Sequence, residues 1–355
     1  GISIQRYANP YVKWEVSQQT NLGIDLGLFN GKFTFTGDIF RQIRRDIVQD
    51  RAALPSSMGL AATVLANLGK YKSQGFDAEL TYMQSVNQNL WFQGRGTFTF
   101  AKGEYLYYEE PNYEYPYLTR IGTDANQRRG YIAERLFIDD EEVRNSPQQL
   151  FGQMVMGGDI KYLDVNGDGV INSNDVVPIG FPTTPQVNFG FGLTTGYKNV
   201  DFSFFFSGMS RTSLFINPLS WDPNNVNNSG SAPFGSQTAP NAVLQAWADS
   251  HWSEDNRDIY ALWPRLSQNP LENNTQTSTH WMRNGAFLRL KQVELSYTLN
   301  SDFTRRYKIE RFRIYASGTN LFNLSAFDLW DPEMGGAGLR YPIQRVFNLG
   351  LLMTL

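Results

Sequence analysis

Between Asn21 and Phe40 apolar and polar side chains alternate one for one. Leu22, Ile24, Leu26 and Leu28 face Asn21, Gly23, Asp25 and Gly27; Phe33, Phe35, Gly37 and Ile39 then face Thr34, Thr36 and Asp38. A period of two marks strands with one apolar and one polar face. The Asn30-Gly31 step between the runs predicts a type I′ hairpin, whose two central residues need positive φ. The pattern returns at Tyr71–Met83 and Leu90–Phe100 around the turn Asn87-Gln88-Asn89. It returns again from Val187 to Phe206 around Lys198-Asn199, and in Phe287–Leu299 with Phe312–Leu321. The last pair is joined by Asn300–Arg311, long enough for one helical turn. Phe347, Leu349, Leu351, Met353 and Leu355 form a ninth strand.

Short turns alternate with long excursions, Tyr105–Pro185 and Met209–Gly285. Outer-membrane barrels have this asymmetry, with short turns at the periplasmic end and long loops outside. The predicted strands run 10–13 residues, where about 9–11 tilted residues cross a bilayer. Their polar faces are built from Thr, Ser, Asn, Asp and Gly, which suits a wet lumen. The expected fold is therefore all-β: an antiparallel transmembrane β-barrel portion with long extracellular loops and a periplasmic C-terminus. Bacterial single-chain barrels have even strand numbers, so nine strands predict at least one more before Gly1. An open wall would also leave about ten unpaired backbone groups per edge in lipid, at several kcal/mol each. The start Gly1-Ile2-Ser3 is neither an initiator Met nor a signal peptide, which fits processing or truncation ahead of it.

Composition narrows the alternatives. Zero cysteines among 355 residues remove disulfide and thiol chemistry. A net charge of −3 with no basic block argues against a nucleic-acid partner. No run approaches 18 apolar residues, which excludes a transmembrane helix and leaves a barrel open. No nucleophile elbow, phosphate loop or Ser/His/Asp set appears, so catalysis is not expected.

Ordered motifs carry a resemblance. Asn9-Pro10-Tyr11-Val12-Lys13-Trp14-Glu15, then Gln19-Thr20-Asn21-Leu22-Gly23-Ile24-Asp25, resemble the start of the C-terminal barrel portion of SusC/RagA-type TonB-linked outer-membrane transporters of Bacteroidetes. Gly158–Gly169, Arg283–Lys291, Arg313–Phe322 and the Tyr341-Pro342 segment continue it over nearly the whole chain; the terminal Leu355, where Phe is usual, departs from it. The resemblance implies that residues 1–355 are part of a barrel of about 22 strands. The plug, the TonB box and the remaining strands would lie upstream. It implies uptake of oligosaccharides or peptides under a SusD-like surface lipoprotein lid, energised through TonB, in a setting of lipid bilayer and lipopolysaccharide. An adhesin or secretion-associated barrel, and a soluble calcium-stabilised carbohydrate-binding β-protein, are the alternatives.

Two candidate sites remain. Asp164, Asn166, Asp168, Val170, Asn172 and Asp175 stand at positions 1, 3, 5, 7, 9 and 12 of an EF-hand-type loop with Gly169 at position 6. Side-chain oxygens and one carbonyl at that spacing suit a hard cation, so structural Ca2+ is expected. The alternative is an Asx-rich turn held by its own hydrogen bonds. Tyr107, Tyr113, Tyr115, Trp221, Trp252, Trp263 and Trp330 in the long loops are candidates for substrate or lid contact, against the alternative that they supply small loop cores. Phe40, Tyr82, Trp91 and Tyr297 read as interfacial girdles, Asp139-Asp140-Glu141-Glu142 as a solvated charge run, and His251 and His280 as structural.

Overall fold

A computed structural model describes residues 4–5, 7–219, 230–233, 243–299, 306 and 308–354. Trp221, Leu355 and most of the Asn300–Arg311 connection lie outside them. Nine long strands form one antiparallel sheet in chain order. They are β1 Val16–Leu28, β2 Phe33–Asp50, β3 Leu65–Asn87, β4 Leu90–Tyr107, β5 Val187–Tyr197, β6 Val200–Ser210, β7 Phe287–Thr298, β8 Arg311–Ser325 and β9 Val346–Thr354.

The first hairpin has the turn its sequence predicts. Asn30 and Gly31 sit at φ 58° and 80°, the Lys32 N–H reaches the Phe29 carbonyl at 3.4 Å, and Leu28 pairs with Phe33. The apolar set of β1 and β2 lies on one face, where Leu22, Ile24 and Ile39 are exposed. Phe347, Leu349, Leu351 and Met353 of β9 are exposed in the same way. A water-soluble sheet would bury such a face.

Four strands outrun the expected 10–13 residues: β2 and β4 have 18, β3 has 23 and β8 has 15. At about 3.3 Å per residue and a 45° tilt, 23 residues rise roughly 50 Å, well past an apolar core of about 30 Å. The alternation ends near Ile43 because Lys72, Lys102 and Glu104 replace apolar residues there. The backbone ladder continues regardless, pairing Lys72 with Glu104 and Gln74 with Lys102.

Two aromatics expected in the girdle are corrected. Phe40 and Trp91 lie one residue out of phase with the apolar set, so both project from the polar face. A Cβ on Gly75 would meet the Phe40 ring at 2.8 Å, and one on Gly196 would meet the Trp91 ring at 2.2 Å. These rings fill space that the glycines leave open. Tyr82 and Tyr297 do project from the apolar face and are exposed.

The excursions between β4 and β5, β6 and β7, and β8 and β9 gather at the long-loop end. There they share one buried cluster that includes Leu136, Ile160, Tyr162, Ile171, Trp247, Trp263, Trp281 and Phe327. Short pairings order each of the first two internally, Ala133–Leu136 with Ile160–Tyr162 and Ser213–Phe215 with Met282–Asn284, and the Tyr131 N–H joins the two by donating to the Thr277 carbonyl at 2.9 Å.

Candidate functional site

The 164–175 loop is built from its own side chains. Asp164 accepts the Gly167 and Gly169 N–H groups at 2.7 and 2.8 Å, and Asp168 accepts the Val170 N–H at 2.9 Å. Gly167 and Gly169 hold φ of 74° and 83°, as the sharp turn requires. Asp175 is fully buried and accepts N–H groups from Val165 and Asn172, closing the loop end to end. Asn172 caps the turn at Ser173–Asp175 by accepting the Asn174 N–H at 2.7 Å. Gly169 and Ile171 accept the Gln148 and Leu150 N–H groups at their carbonyls, which fixes the loop against an earlier segment of the same excursion.

Asp164, Asp168 and Asp175 pair with no Lys or Arg among the described residues. Their charge is felt nearby: burial, then the field of Asp175, Asp168 and Asp164, raises the Tyr117 hydroxyl above its usual range. That hydroxyl donates to the Asn174 carbonyl at 2.8 Å. An all-oxygen donor set, unpaired negative charge and left-handed glycine at position six fit a hard cation. Among the described residues, however, no three acidic or imidazole side chains converge as a metal cage. The carboxylates are turned onto the loop's own amides.

The aromatic candidates divide. Trp252 and Trp263 are only 4% and 7% exposed, so the expectation that they meet substrate or lid is corrected: their surface is spent in the loop core. Trp263 packs between Trp247 and Trp281 with ring centres 4.9 Å from each. Trp330 is half-buried against Phe327 and donates its indole N–H to Gly335. Tyr107 and Tyr113 are exposed, and Tyr115, half-buried, stacks on Tyr117 at 5.5 Å. Trp221 lies outside the described residues.

The acidic run is likewise not a free charged surface. Asp139 caps the helix Asp140–Arg144. Glu142 meets Arg135 at 2.6 Å and Lys161 at 3.0 Å. Burial opposes its charge, but the hydrogen bonds from Arg135, Ile138 N–H and Lys161 overcome that and bring its carboxyl down to about 2. His251 donates its Nδ1–H to the Trp247 and Ala248 carbonyls at 3.0 Å, an end-of-helix contact.

Where the loops meet the polar face of the wall, the structure opens a cleft that sequence spacing could not show. Its upper part, about 370 Å³, is lined by Arg128, Thr183, Met209, Thr212 and Glu333. A lower part of about 260 Å³ runs onto Thr97, Thr99, Asn188, Phe205 and Ser207 and shares Met209 and Glu333. Arg289 fixes this junction. It is 3% exposed, donates to both oxygens of Asp331 at 2.6 and 2.7 Å, and lies 3.0 Å from Glu333. The β8–β9 excursion is thereby pinned to the wall. These residues are scattered over more than 200 positions, and only the basic step Arg128-Arg129 stands out in the sequence.

Comparison with known proteins agrees with this architecture. The profile of the family "TonB dependent receptor-like, beta-barrel" matches residues 1–321. TonB-dependent receptor P26 of Formosa agariphila is 26% identical over 100% of this chain and 36% of its own length. TonB-dependent receptor SusC of Bacteroides thetaiotaomicron is 24% identical over 97% of this chain and 32% of its own. The chain thus spans about a third of the length of the curated relatives it matches. The RagAB peptide importer in its open-open state superposes with a TM-score of 0.73 at 21% identity, over all of this chain and 36% of that one. The nine-stranded sheet, the one-sided distribution of its long loops and the family match together place the chain in the TonB-dependent receptor β-barrel family.

Proposed function

We propose that this chain forms wall strands and extracellular loops of an outer-membrane transporter that imports large nutrients through TonB. One observation carries the reading: every short turn lies at one end of a sheet whose outward face is apolar, and every long excursion lies at the other. In that reading the Leu/Ile/Phe face meets lipid, the polar face lines a lumen, and the short turns and C-terminus are periplasmic. β1 and β9 are the edges of the sheet, and further strands pair with them, because unpaired edges are not tolerated in hydrocarbon. The cleft between Arg128 and Glu333 lies on the path of a substrate descending from the loops. Arg128, Glu333 and the threonines offer donors and acceptors for a peptide or an oligosaccharide. Tyr107, Tyr113 and Tyr115, and the accessible part of Trp330, are available to substrate or to a SusD-like lipoprotein lid.

The 164–175 loop holds a structural Ca2+ through Asp164, Asn166, Asp168, Val170, Asn172 and Asp175. The ion would supply positive charge to a loop that has none and rigidify the excursion.

Uptake of labelled oligopeptides and oligosaccharides by cells carrying the intact protein tests the transport reading. Accumulation of one class that stops on TonB deletion or collapse of the proton gradient supports it. Uptake indifferent to both overturns it. Purification without detergent would instead favour a soluble β-protein.

A further inference from the structure

The apolar face of β1–β4 changes character abruptly along the strands. Paired residues place Ile24, Gly37, Ala78 and Phe98 in one row across the wall, and Leu22, Ile39, Phe76 and Phe100 in the next. One step nearer the long-loop end the row reads Thr20, Arg41, Gln74, Lys102, and beyond it Gln18, Ile43, Lys72, Glu104. Gly37 and Ala78, side by side, are the small floor of a trough of about 1180 Å³ that reaches from Ile24 to Arg41. Toward the short-turn end the same face carries Phe35, Leu80, Phe33 and Tyr82 and no cation.

The rim is cationic and unspent. The Arg41 and Lys102 side chains have no ion pair or hydrogen bond among the described residues and are exposed. Adjacent strands lie about 4.8 Å apart, so these two charges are separated by roughly 10 Å. Arg211 joins them, with its guanidinium carbon 5.7 Å from the Phe100 ring centre and 5.0 Å from that of Phe181. Its Nε donates to Gln186 at 3.0 Å, which leaves its terminal nitrogens without a carboxylate. The acid on this rim, Glu104, is neutralised by Lys72 at 2.5 Å.

We propose that this trough and rim bind a phosphorylated, multiply acylated lipid of the outer leaflet, the chemistry of lipopolysaccharide. Acyl chains occupy the trough over Gly37 and Ala78, and Arg41, Lys102 and Arg211 hold the phosphates. Generic bilayer contact accounts for an apolar face, yet not for unpaired cations set directly beside a trough floored by Gly37 and Ala78. Cations at that height attract anionic headgroups, and Arg matches phosphate oxygens two at a time. The site rests on the membrane-barrel reading above, since it needs this face in lipid with the long loops outside.

The test uses the intact protein in nanodiscs of phosphatidylethanolamine, titrated with purified lipid A and followed by native mass spectrometry. Wild type retains lipid A and binds its dephosphorylated form at least tenfold more weakly. A triple variant, Arg41→Gln with Lys102→Gln and Arg211→Asn, loses at least tenfold in affinity. Asn is chosen because Arg211 has a φ of 53°. Ala78→Phe, which fills the trough and leaves the charges in place, also weakens binding. Lys32→Ala in the opposite turn leaves it unchanged. Undiminished binding by the triple variant, or equal binding of phosphatidylglycerol, overturns the site in a protein that inserts normally. A protein that enters no bilayer overturns the barrel reading and the site together.

Discussion

The wall and the loop region use the same apolar residue types for opposite purposes. Leu349 on β9 is 81% exposed, whereas Leu136 in the β4–β5 excursion is fully buried. Trp247 and Trp281 are buried to 0% and 1% exposure, and among the described residues the deepest apolar side chains are loop residues. The loops behave as a small water-soluble domain, held by the burial of apolar surface. The wall is held by its backbone ladder and by close ring-on-glycine contacts, and its apolar surface is left for another solvent. Counting buried residues would therefore misjudge which part is the scaffold.

The strongest way to break that contrast is to hollow the loop core. Trp281→Ala should cost the loops about 3–5 kcal/mol. Limited proteolysis should then cut between β4 and β5 while the barrel band on an unheated gel stays unchanged. Loss of the barrel band as well would show that the two regions fold as one.

A charge on the outward face probes the other side. Leu349→Arg should destabilise the wall by about 2–4 kcal/mol if that position lies near the bilayer midplane. Asn348→Arg, on the polar face one residue away, should change little. Equal effects in urea unfolding from lipid vesicles would argue against a lipid-facing β9.

Calcium sharpens the loop side of the comparison. At 100 times its Kd the ion should add about 2.7 kcal/mol to the loop region. Chelation, or Asp164→Ala, should speed amide exchange in 164–175 and leave the strands unaffected. Identical exchange with and without calcium would remove the ion from the site.

The smallest effect is a pH response confined to the loops. Burial, aided by the neighbouring Arg283 charge, lowers His280 to about 4, with its ring edge-on to Trp281 at 4.7 Å. The unfolded chain, with His near 6.5, then takes up a proton before the folded loops do. That contribution to stability is complete above about pH 6.5 and is lost as the pH falls toward 4. His280→Gln should flatten the loop melting curve over this window and leave the wall unchanged.

Much of the wall was legible because a strand states its two faces locally. The Asn30-Gly31 turn, the alternation from Leu22 to Ile39 and the nine strands all appear in the structure as read. The misreadings share a cause. Phe40 and Trp91 looked like girdle residues by type, but register puts them over Gly75 and Gly196 on the polar face. The strand from Leu90 was ended at Phe100, where Lys102 broke the pattern, and its neighbour was begun at Tyr71 rather than Leu65, although backbone pairing does not depend on the pattern. Trp252 and Trp263 looked available because loops are usually thin. Which residues of three separate excursions pack together has no local signal.

The sequence by itself determined the strand count, the pairing of neighbours, the faces and the spacing of the oxygen ligands from Asp164 to Asp175. Each of these is a property of residues close in the chain, fixed by backbone periodicity and turn chemistry. Only the tertiary structure decided that the loop tryptophans form a core, that Arg289 clamps Asp331, and that Arg41, Lys102 and Arg211 share one rim. Those contacts join residues 16 to 170 positions apart, and their geometry follows from sheet register and loop packing, which no short stretch of the chain encodes.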